Sequence, residues 1–173
     1  MRQYAILLVL GLVLAFIAFQ ARTGIFRAHY HEEPANKYTR EMMNNPQLSE
    51  ADAAVMREKY RTAHLTTSGL RYEVRNPGEG AVPQLGQEVV VHYDGYLLDG
   101  TKFDSSRDRG QPFAFRVGTG SVIKGWDEAF ATMKRGEKRT LIIPWWLAYG
   151  EAGRDRIPPK ATLVFEVELL AIR

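Results

Sequence analysis

Aromatic residues recur through the C-terminal half of this chain, between short alternating strands and turn signals, and they constrain the fold more than any other feature. Between Val89 and Ile172 the ring-bearing residues that stand out are Tyr93, Phe103, Phe113, Phe115, Trp126, Tyr149 and Phe165. They come from more separate segments than a core of about a hundred residues readily encloses. The surplus predicts a pocket that is lined by aromatic rings and open to water.

The composition is that of a soluble domain with appendages and excludes several classes of function. Of 173 residues, 45% are hydrophobic and 25% are charged, with a formal net charge of +3. No basic stripe is interleaved with exposed aromatic residues, so nucleic acid is not expected as a partner. The chain has no cysteine, which excludes disulfides, thiolate catalysis and cysteine-based zinc sites.

The first 22 residues predict a signal peptide or a membrane-anchor helix. Arg2 precedes an unbroken apolar run from Tyr4 to Phe19. As a helix this run spans about 24 Å, which is short for a bilayer core of about 30 Å but long for the apolar part of a signal peptide. The nearest cleavage signal, Phe19-Gln20-Ala21, is poor. The pattern therefore favours an uncleaved anchor over a removed leader, and export of the C-terminal domain.

Residues 23–66 are predicted to be a linker that carries an amphipathic helix over about 49–64. Ser49 is the predicted N-cap, with Asp52 completing a capping box. One face of the helix carries Ala53, Met56, Tyr60 and Ala63 at helical spacing. This stripe fits either docking on the domain or contact with a client or a second copy of the chain, and the sequence does not decide between them.

From residue 67 to residue 173 the apolar period changes to two, which indicates strands. In the first strand Leu70, Tyr72 and Val74 alternate with polar neighbours, and in the second Val89, Val91 and Tyr93 face one side. A short helix follows, with the apolar face Val122, Ile123, Trp126, Ala129 and Phe130. EKRTLIIPW and TLVFEVELLAI are two further strands. The predicted fold class is α+β, a curved antiparallel β-sheet wrapped around one short α-helix.

Four motifs resemble one enzyme family. VHYDGYLLDGTKFDSS, VIKGWDEAF, LAYG and IPPKATLVFEVELL are similar to the FKBP-type peptidyl-prolyl cis-trans isomerases, the macrolide-binding immunophilins. The opening SGLRYEV and the preceding helix also resemble exported bacterial members of the infectivity-potentiator type. The resemblance implies an FKBP-like domain over 67–173. It also implies anchoring at the bacterial inner membrane with the domain in the periplasm, or a soluble periplasmic or secreted protein if the leader is removed.

The resemblance also implies the site residues. The matches to the catalytic pocket are Tyr93, Phe103, Asp104, Trp126, Tyr149 and Phe165, and the matches to its substrate-binding surroundings are Phe113, Phe115, Val122, Ile123, Ile157 and Arg109. In this family Trp126 would form the floor, and the Tyr149 hydroxyl and the Ile123 amide would donate to the ligand. Asp104 would be a buried carboxylate that orients Tyr93 and pairs with Arg109.

The chain departs from the family pattern at two places. The loop EAGRDRIPP is one residue shorter than in single-domain members, and Arg154 and Arg156 stand where those members often carry a histidine and an apolar residue. Macrolide affinity and client preference are therefore open. Trp145 and Trp146 are predicted to point to opposite faces of an extended segment, with one exposed as a contact surface or packed under the loop.

The implied activity is acceleration of X–Pro bond rotation in exported clients that contain proline. Rotation about an amide transfers no proton to the substrate, so neither a cofactor nor a metal is expected, and a general acid–base role for Asp104 is the lesser alternative. The rival function is a chaperone or binding module with the same fold and little isomerase activity. The predicted partners are prolyl polypeptides, a macrolide ligand, the membrane through the N-terminal helix, and a second copy in a homodimer.

Three weaker patterns complete the prediction. The segment from His29 to Glu33 has side chains that could bind a metal, but a solvated linker explains it better. A triad of His92 with Ser105 or Ser106 has no supporting motif. Gly118-Thr119-Gly120 lacks the spacing of a phosphate loop and predicts a turn.

Overall fold

The computed structural model describes residues 48–173, which belong to one compact unit. Its elements are α1 (Glu50–Lys59), β1 (His64–Leu65), β2 (Arg71–Asn76), β3 (Glu88–Leu97), β4 (Lys102–Ser105), β5 (Phe113–Arg116), α2 (Lys124–Phe130), β6 (Lys138–Ile143), a 3-10 helix (Trp145–Leu147) and β7 (Leu163–Ile172). The predicted leader, its apolar run and the 29–33 cluster lie outside the described residues. Within the described part of the chain, no helix is long and apolar enough to cross a bilayer.

The seven strands form one antiparallel sheet in the order β1-β2-β6-β7-β3-β4, and β5 also pairs with β3. β5 pairs with the first half of β3 and β4 with its second half, while β7 pairs along its other side. The long central strand β3 therefore positions both segments that carry pocket residues. The sheet and helix α2 confirm the predicted α+β fold.

One face of the sheet and helix α2 enclose the main core. Val89, Val91 and Tyr93 are all buried on this face, as the period-two pattern predicted. Helix α2 begins at Lys124, so Val122 and Ile123, predicted within its apolar face, lie ahead of it, and Ile123 is the N-cap. The helix contributes Trp126, Ala129 and Phe130 to the core.

Helix α2 lies close against the sheet because it carries a glycine at the contact. A Cβ at Gly125 would lie 2.5 Å from the Cγ2 of Ile143 on β6. Such a distance is shorter than van der Waals contact, so a larger residue would push the helix outward. This approach places Trp126, the next residue, at the bottom of the cavity described below.

Helix α1 is shorter than predicted, because it ends at Lys59 and Tyr60 is its C-cap. The Ser49 hydroxyl accepts from the Asp52 amide at 3.0 Å, which is the predicted N-cap. The Asp52 carboxylate, however, accepts from the Thr162 hydroxyl at 3.0 Å. It fastens the helix to the segment before β7, whereas the prediction had it reach back to its own cap.

The apolar stripe of α1 docks on the sheet. Met56 and Ala63 are buried in a second cluster with Ile142 of β6 and Val164 of β7. These strand residues alternate with residues of the main core, so α1 covers the sheet face opposite α2. The docking interpretation of the stripe therefore holds within the described chain.

The predicted strand around Tyr72 and Val74 is β2. Another local prediction was wrong. Trp145 and Trp146 lie in the 3-10 helix, so they are not on opposite faces of an extended segment. Both are half-buried, and the Trp146 Nε1 donates to the Ser68 carbonyl at 2.9 Å.

A buried ion pair joins β6 to the turn after α2. The Arg139 Nε donates to Glu137 Oε1 at 2.5 Å, and both side chains are 6% exposed. The other guanidinium nitrogens donate to the Thr132 hydroxyl at 2.8 Å and to its carbonyl at 2.9 Å. The guanidinium also lies 4.6 Å from the centroid of the Tyr72 ring. The charges are thus matched and hydrogen-bonded, as buried charges need to be.

Candidate active site

A cavity of about 870 Å³ opens where α2, the β3–β4 segment and the β6–β7 loop meet. Its lining consists of Tyr93, Phe103, Asp104, Phe113, Gly120, Ser121, Val122, Ile123, Lys124, Trp126, Ala148, Tyr149, Arg154, Asp155, Arg156, Ile157 and Phe165. Ten of the twelve predicted site residues are among them. The predicted surplus of aromatic residues therefore converges on one hollow of the size that small ligands and peptide segments occupy.

Edge-to-face rings form the base of this cavity. Trp126 is 4% exposed, and its ring lies 4.9 Å from Tyr93 and 5.3 Å from Phe165 by centroid distance. Phe103 meets Phe165 perpendicularly at 5.6 Å. Such contacts fix ring orientations beyond what simple burial does. The Trp126 Nε1 is buried and meets no acceptor within residues 48–173. Apart from this N–H and the Tyr93 hydroxyl, the rings that form the base are apolar.

Two of the predicted substrate-binding residues lie outside the cavity wall. Phe115 is buried behind it, between Phe113 at 5.9 Å and Phe130 at 5.3 Å. The two rings lie on the same face of β5, but Phe115 packs against Trp126 and Phe130 of α2, whereas Phe113, at the start of the strand, is 38% exposed. Arg109 is not a lining residue, but it donates hydrogen bonds to two of them, Asp104 and Tyr93.

Asp104 is not the buried carboxylate that the resemblance implied, because its side chain is 41% exposed. It accepts from the Tyr93 hydroxyl, from Arg109 Nη1 and, at 2.8 Å, from the Ser105 amide. Arg109 Nη2 in turn donates to the Tyr93 oxygen at 2.8 Å. These contacts hold one wall of the cavity in place.

The electrostatics of this group follow from those contacts. Partial burial would raise the pKa of Asp104, but the hydrogen bonds from Tyr93 and Arg109 and the guanidinium charge outweigh it and hold this pKa below its usual range. Burial and the hydrogen bond to Asp104 raise the pKa of Tyr93. Near neutral pH the Asp104 side chain is therefore ionised, and the Tyr93 hydroxyl keeps its proton.

Two hydrogen-bond donors face the cavity without a protein acceptor. Within residues 48–173, neither the Tyr149 hydroxyl nor the Ile123 amide donates to another protein group. Burial raises the pKa of Tyr149, although Arg154 works against this. Tyr149 therefore keeps its proton, and both groups are available to a carbonyl oxygen of a bound ligand.

Glycine permits the close packing of the wall. A Cβ at Gly95 on β3 would lie 2.8 Å from the Cζ of Phe103 and 2.9 Å from the Cε1 of Phe165. Both rings lie directly over the backbone at this point. The predicted turn at Gly118–Gly120 is also present, and the Asp127 carboxylate accepts from the amides of both glycines at 2.9 Å. This pair of bonds holds the turn against α2.

Sequence reasoning missed Gly120, Ser121, Lys124, Ala148 and Asp155 as lining residues. Lys124 directly follows Ile123 in the motif VIKGWDEAF, and this adjacency was the signal that could have found it. Arg154 and Arg156 were noted as departures from the family. The structure places both in the cavity lining.

The structure brings His92 and Ser106 together without making a catalytic pair. His92 Nδ1 lies 2.9 Å from the Ser106 hydroxyl. That hydroxyl is fully buried, accepts from the Tyr93 amide at 2.8 Å and donates to the Tyr93 carbonyl at 3.2 Å. A serine with its proton engaged and no solvent contact supports the strand and cannot attack a substrate. Among the described residues no metal-binding cluster of His, Asp and Glu was found either.

Comparison with known proteins agrees with this architecture. Residues 80–170 match the model of the FKBP-type peptidyl-prolyl cis-trans isomerases. The chain is 53% identical over 105 residues to an FK506-binding protein of Neisseria meningitidis serogroup B, covering 60% of this chain and 96% of that one. The crystal structure of AtFKBP13 superposes with a TM-score of 0.61 at 40% identity, covering 63% of this chain and 97% of that one.

A longer relative extends the similarity beyond the catalytic domain. The FKBP-type peptidyl-prolyl cis-trans isomerase FkpA of Escherichia coli K12 is 44% identical over 128 residues, covering 72% of this chain and 47% of its own. Since 72% of 173 residues is about 125, the alignment begins no later than about residue 49 even if it runs to Arg173. It therefore includes helix α1.

The cavity offers apolar rings and two carbonyl-binding donors. Of its two carboxylates, Asp104 accepts from Tyr93, Arg109 and the Ser105 amide, and Asp155 lies 3.5 Å from Arg154. Such a site suits an enzyme that turns a bond without breaking it. This is the class of the prolyl isomerases. Within that class, the chain belongs to the FKBP-type peptidyl-prolyl cis-trans isomerase family. Its activity is rotation of X–Pro bonds in polypeptides.

Proposed function

We propose that this isomerase holds a prolyl ring over Trp126 while the Tyr149 hydroxyl and the Ile123 amide bind carbonyl oxygens of the same segment. The observation that supports this most directly is the pair of unengaged donors above an aromatic base. Val122, Ile157 and Phe113 complete the apolar surroundings. An extended segment is thereby fixed on both sides of its proline.

The chemistry needs only this environment. An X–Pro bond rotates against a barrier of about 18–20 kcal/mol, and the free exchange takes tens to hundreds of seconds. The twisted transition state has lost amide resonance and has a smaller dipole, so a dry apolar cavity favours it over the planar ground state. A thousandfold acceleration needs about 4 kcal/mol. Exclusion of water and hydrogen bonds that strengthen on twisting are sufficient for that.

Asp104 acts in this proposal as a positioning residue. Its two oxygens already accept from Tyr93, Arg109 and the Ser105 amide, and its lowered pKa keeps it ionised. An ionised carboxylate cannot act as a general acid at neutral pH. Its engaged oxygens also have no substrate proton to accept during rotation about an amide. It holds the Tyr93 ring against Trp126 instead.

We further propose that the clients are exported proteins and that the apolar run from Tyr4 to Phe19 anchors the enzyme at the inner membrane of a bacterium. The charged start at Arg2, the length of the run and its poor cleavage signal support this. Mass spectrometry of the mature protein tests it: an intact Met1 in the membrane fraction is expected. A mature chain that begins after residue 20 would show that the leader is removed.

Two finer proposals concern ligands and assembly. A macrolide would occupy the same cavity, with Arg154 and Arg156 altering affinity at its edge. A homodimer, also predicted, would need a surface other than the stripe of α1, since Met56 is buried against Ile142 and Val164. Isothermal titration calorimetry with a macrolide measures the affinity, and sedimentation of the full chain measures the oligomeric state.

The decisive experiment follows refolding of a protein whose folding is limited by proline isomerisation. The wild-type enzyme is expected to accelerate it. Phe103→Ala is expected to reduce the acceleration severely by opening the wall to water, and Tyr149→Phe by about two- to tenfold through loss of one hydrogen bond. Retained client binding with no acceleration would favour the chaperone or binding module instead. A full rate in Phe103→Ala would remove the assigned site.

A further inference from the structure

The mouth of the cavity has an excess of positive charge. Its lining includes Lys124, Arg154 and Arg156, with Asp155 and Asp104 as the only acidic members. Asp104 is paired with Arg109, and Asp155 lies 3.5 Å from Arg154. Within residues 48–173, Lys124 and Arg156 meet no carboxylate. Two cations therefore remain uncompensated where a client enters.

A tight turn fixes the backbone of these arginines. The amide and carbonyl of Arg154 exchange hydrogen bonds with those of Ile157, at 2.9 and 2.7 Å. Asp155, between them, has a φ of 48°, in the left-handed region that non-glycine residues rarely adopt. A Cβ at Gly153 would lie 2.3 Å from the Ile157 carbonyl oxygen, so the base of the turn is closely packed. The backbone on both sides of Arg156 is therefore held by contacts within the turn itself.

The same turn lies beside the carbonyl-binding part of the site. The Arg154 guanidinium is 5.8 Å from the centroid of the Tyr149 ring, and Ile157 contributes to the cavity wall. Lys124 follows Ile123, the residue whose amide is the second unengaged donor. Lys124 and Arg156 thus line the cavity that contains both donors, and Lys124 directly follows one of them in the chain. A side chain next to the proline would come within their reach.

We propose that Lys124 and Arg156 make this isomerase selective for prolyl bonds flanked by an acidic side chain. The proposal rests on the isomerase function and concerns which clients that site prefers. Because both cations are exposed, each pair with a client carboxylate is weak, and the preference is expected to be about two- to fivefold. It is screened by salt, since the Debye length falls from about 10 Å at 0.1 M to about 3 Å at 1 M.

The experiment compares short peptides that differ at one residue. One series places Glu, Gln or Lys directly before the proline and a second places them directly after it. The readout is the ratio of kcat/KM for the Glu peptide to that for the isosteric Gln peptide, at low and high salt. In at least one series this ratio is expected to be about two to five at low salt and to approach one in 1 M NaCl. The corresponding ratio of the Lys peptide to the Gln peptide is expected to be below one at low salt.

Substitution then locates the effect. The double variant Lys124→Gln, Arg156→Gln is expected to bring the ratio to about one, whatever its absolute rate. The matched control Lys134→Gln, Arg135→Gln removes the same charge from an exposed turn outside the cavity lining and is expected to keep the wild-type ratio. If the Glu-to-Gln ratio falls in both variants, the preference arises from net charge, and the proposed role of Lys124 and Arg156 is overturned.

Failure of the proposal is distinct from failure of the function. A ratio of about one in both wild-type series, with the Gln peptides isomerised, overturns the selectivity and leaves the isomerase intact. If no peptide is accelerated, the isomerase function fails. The same ratios are then measured as binding affinities by tryptophan fluorescence, where equal binding of the Glu and Gln peptides overturns the proposal.

Discussion

Two arginine–carboxylate pairs in this protein share their chemistry but not their surroundings. Arg139 and Glu137 are 6% exposed and lie between β6 and the turn after α2, whereas Arg109 and Asp104 are 49% and 41% exposed at the cavity wall. Removing one partner of a buried pair leaves an uncompensated charge in a medium of low dielectric constant. Water screens the charges of an exposed pair. The comparison separates residues that stabilise the fold from those that shape the site.

The largest effect is expected at the buried pair. Arg139→Met leaves the Glu137 carboxylate without its cation and should lower the free energy of unfolding by about 3–5 kcal/mol, measured by urea denaturation. The double variant Glu137→Gln, Arg139→Met removes both charges and should recover part of the loss. A loss below about 1 kcal/mol in the single variant would show that the buried site is wetter than the structure indicates.

The next effect is expected in activity. Asp104→Ala takes the acceptor from the Tyr93 hydroxyl and from Arg109, and should lower kcat/KM about tenfold or more in a coupled peptide assay. The free energy of unfolding should change by less than about 1 kcal/mol, because the pair is exposed. Unchanged activity would remove Asp104 from the site, and a large loss of stability would erase the contrast between the pairs.

A smaller effect is expected for Arg109→Met. Asp104 keeps the Tyr93 hydroxyl and the Ser105 amide as donors, so kcat/KM should fall by only about threefold. Added salt should narrow the difference from the wild type. If this variant is as impaired as Asp104→Ala, the guanidinium acts on the substrate itself.

The smallest effect is expected from pH. The pKa of Asp104 is below its ordinary 3.8, and the pKa values of Tyr93 and Tyr149 are above their ordinary 10.0. A lowered pKa means that the Asp104 contacts stabilise the fold fully above pH 3.8 and lose this effect as pH falls through the lower folded value. Between about pH 5 and pH 9, kcat/KM should therefore be flat. A titration limb within that range would indicate a proton transfer that the proposed mechanism lacks.

Patterns along one strand were enough to predict the framework. The alternation of Val89, Val91 and Tyr93 identified the inward face of β3, because a strand that is covered on one side must alternate. The family motifs then located ten of the twelve predicted site residues in one cavity. Both signals are local, so neither depends on knowing how the chain closes in space.

The wrong predictions depend on contacts between distant segments. Asp104 is half-exposed because the cavity opens beside it, and Phe115 lies in the core because α2 covers it. Trp145 and Trp146 form a short helix whose indole donates to the Ser68 carbonyl, 78 residues earlier in the chain. No pattern around these residues carries that information.

The buried pair of Glu137 and Arg139 had no sequence signal at all. In EKRTLII the two residues look like any charged start of a strand. Their burial follows from the turn after α2, which supplies Thr132 as an acceptor and brings the Lys134 amide to Glu137 at 2.8 Å. Charge alone predicts that Glu137 and Arg139 are exposed. Their burial is explained only by the hydrogen bonds that satisfy both charged groups.

The position of α1 has a practical consequence. This helix covers the side of the sheet opposite the rings of the cavity. A tag, dye or resin linker fused at Leu48 would therefore emerge on the side of the domain that faces away from the cavity. When the enzyme is immobilised in this way, the opening of its cavity should remain accessible to unfolded chains. A column of it should therefore retain the turnover of the free domain.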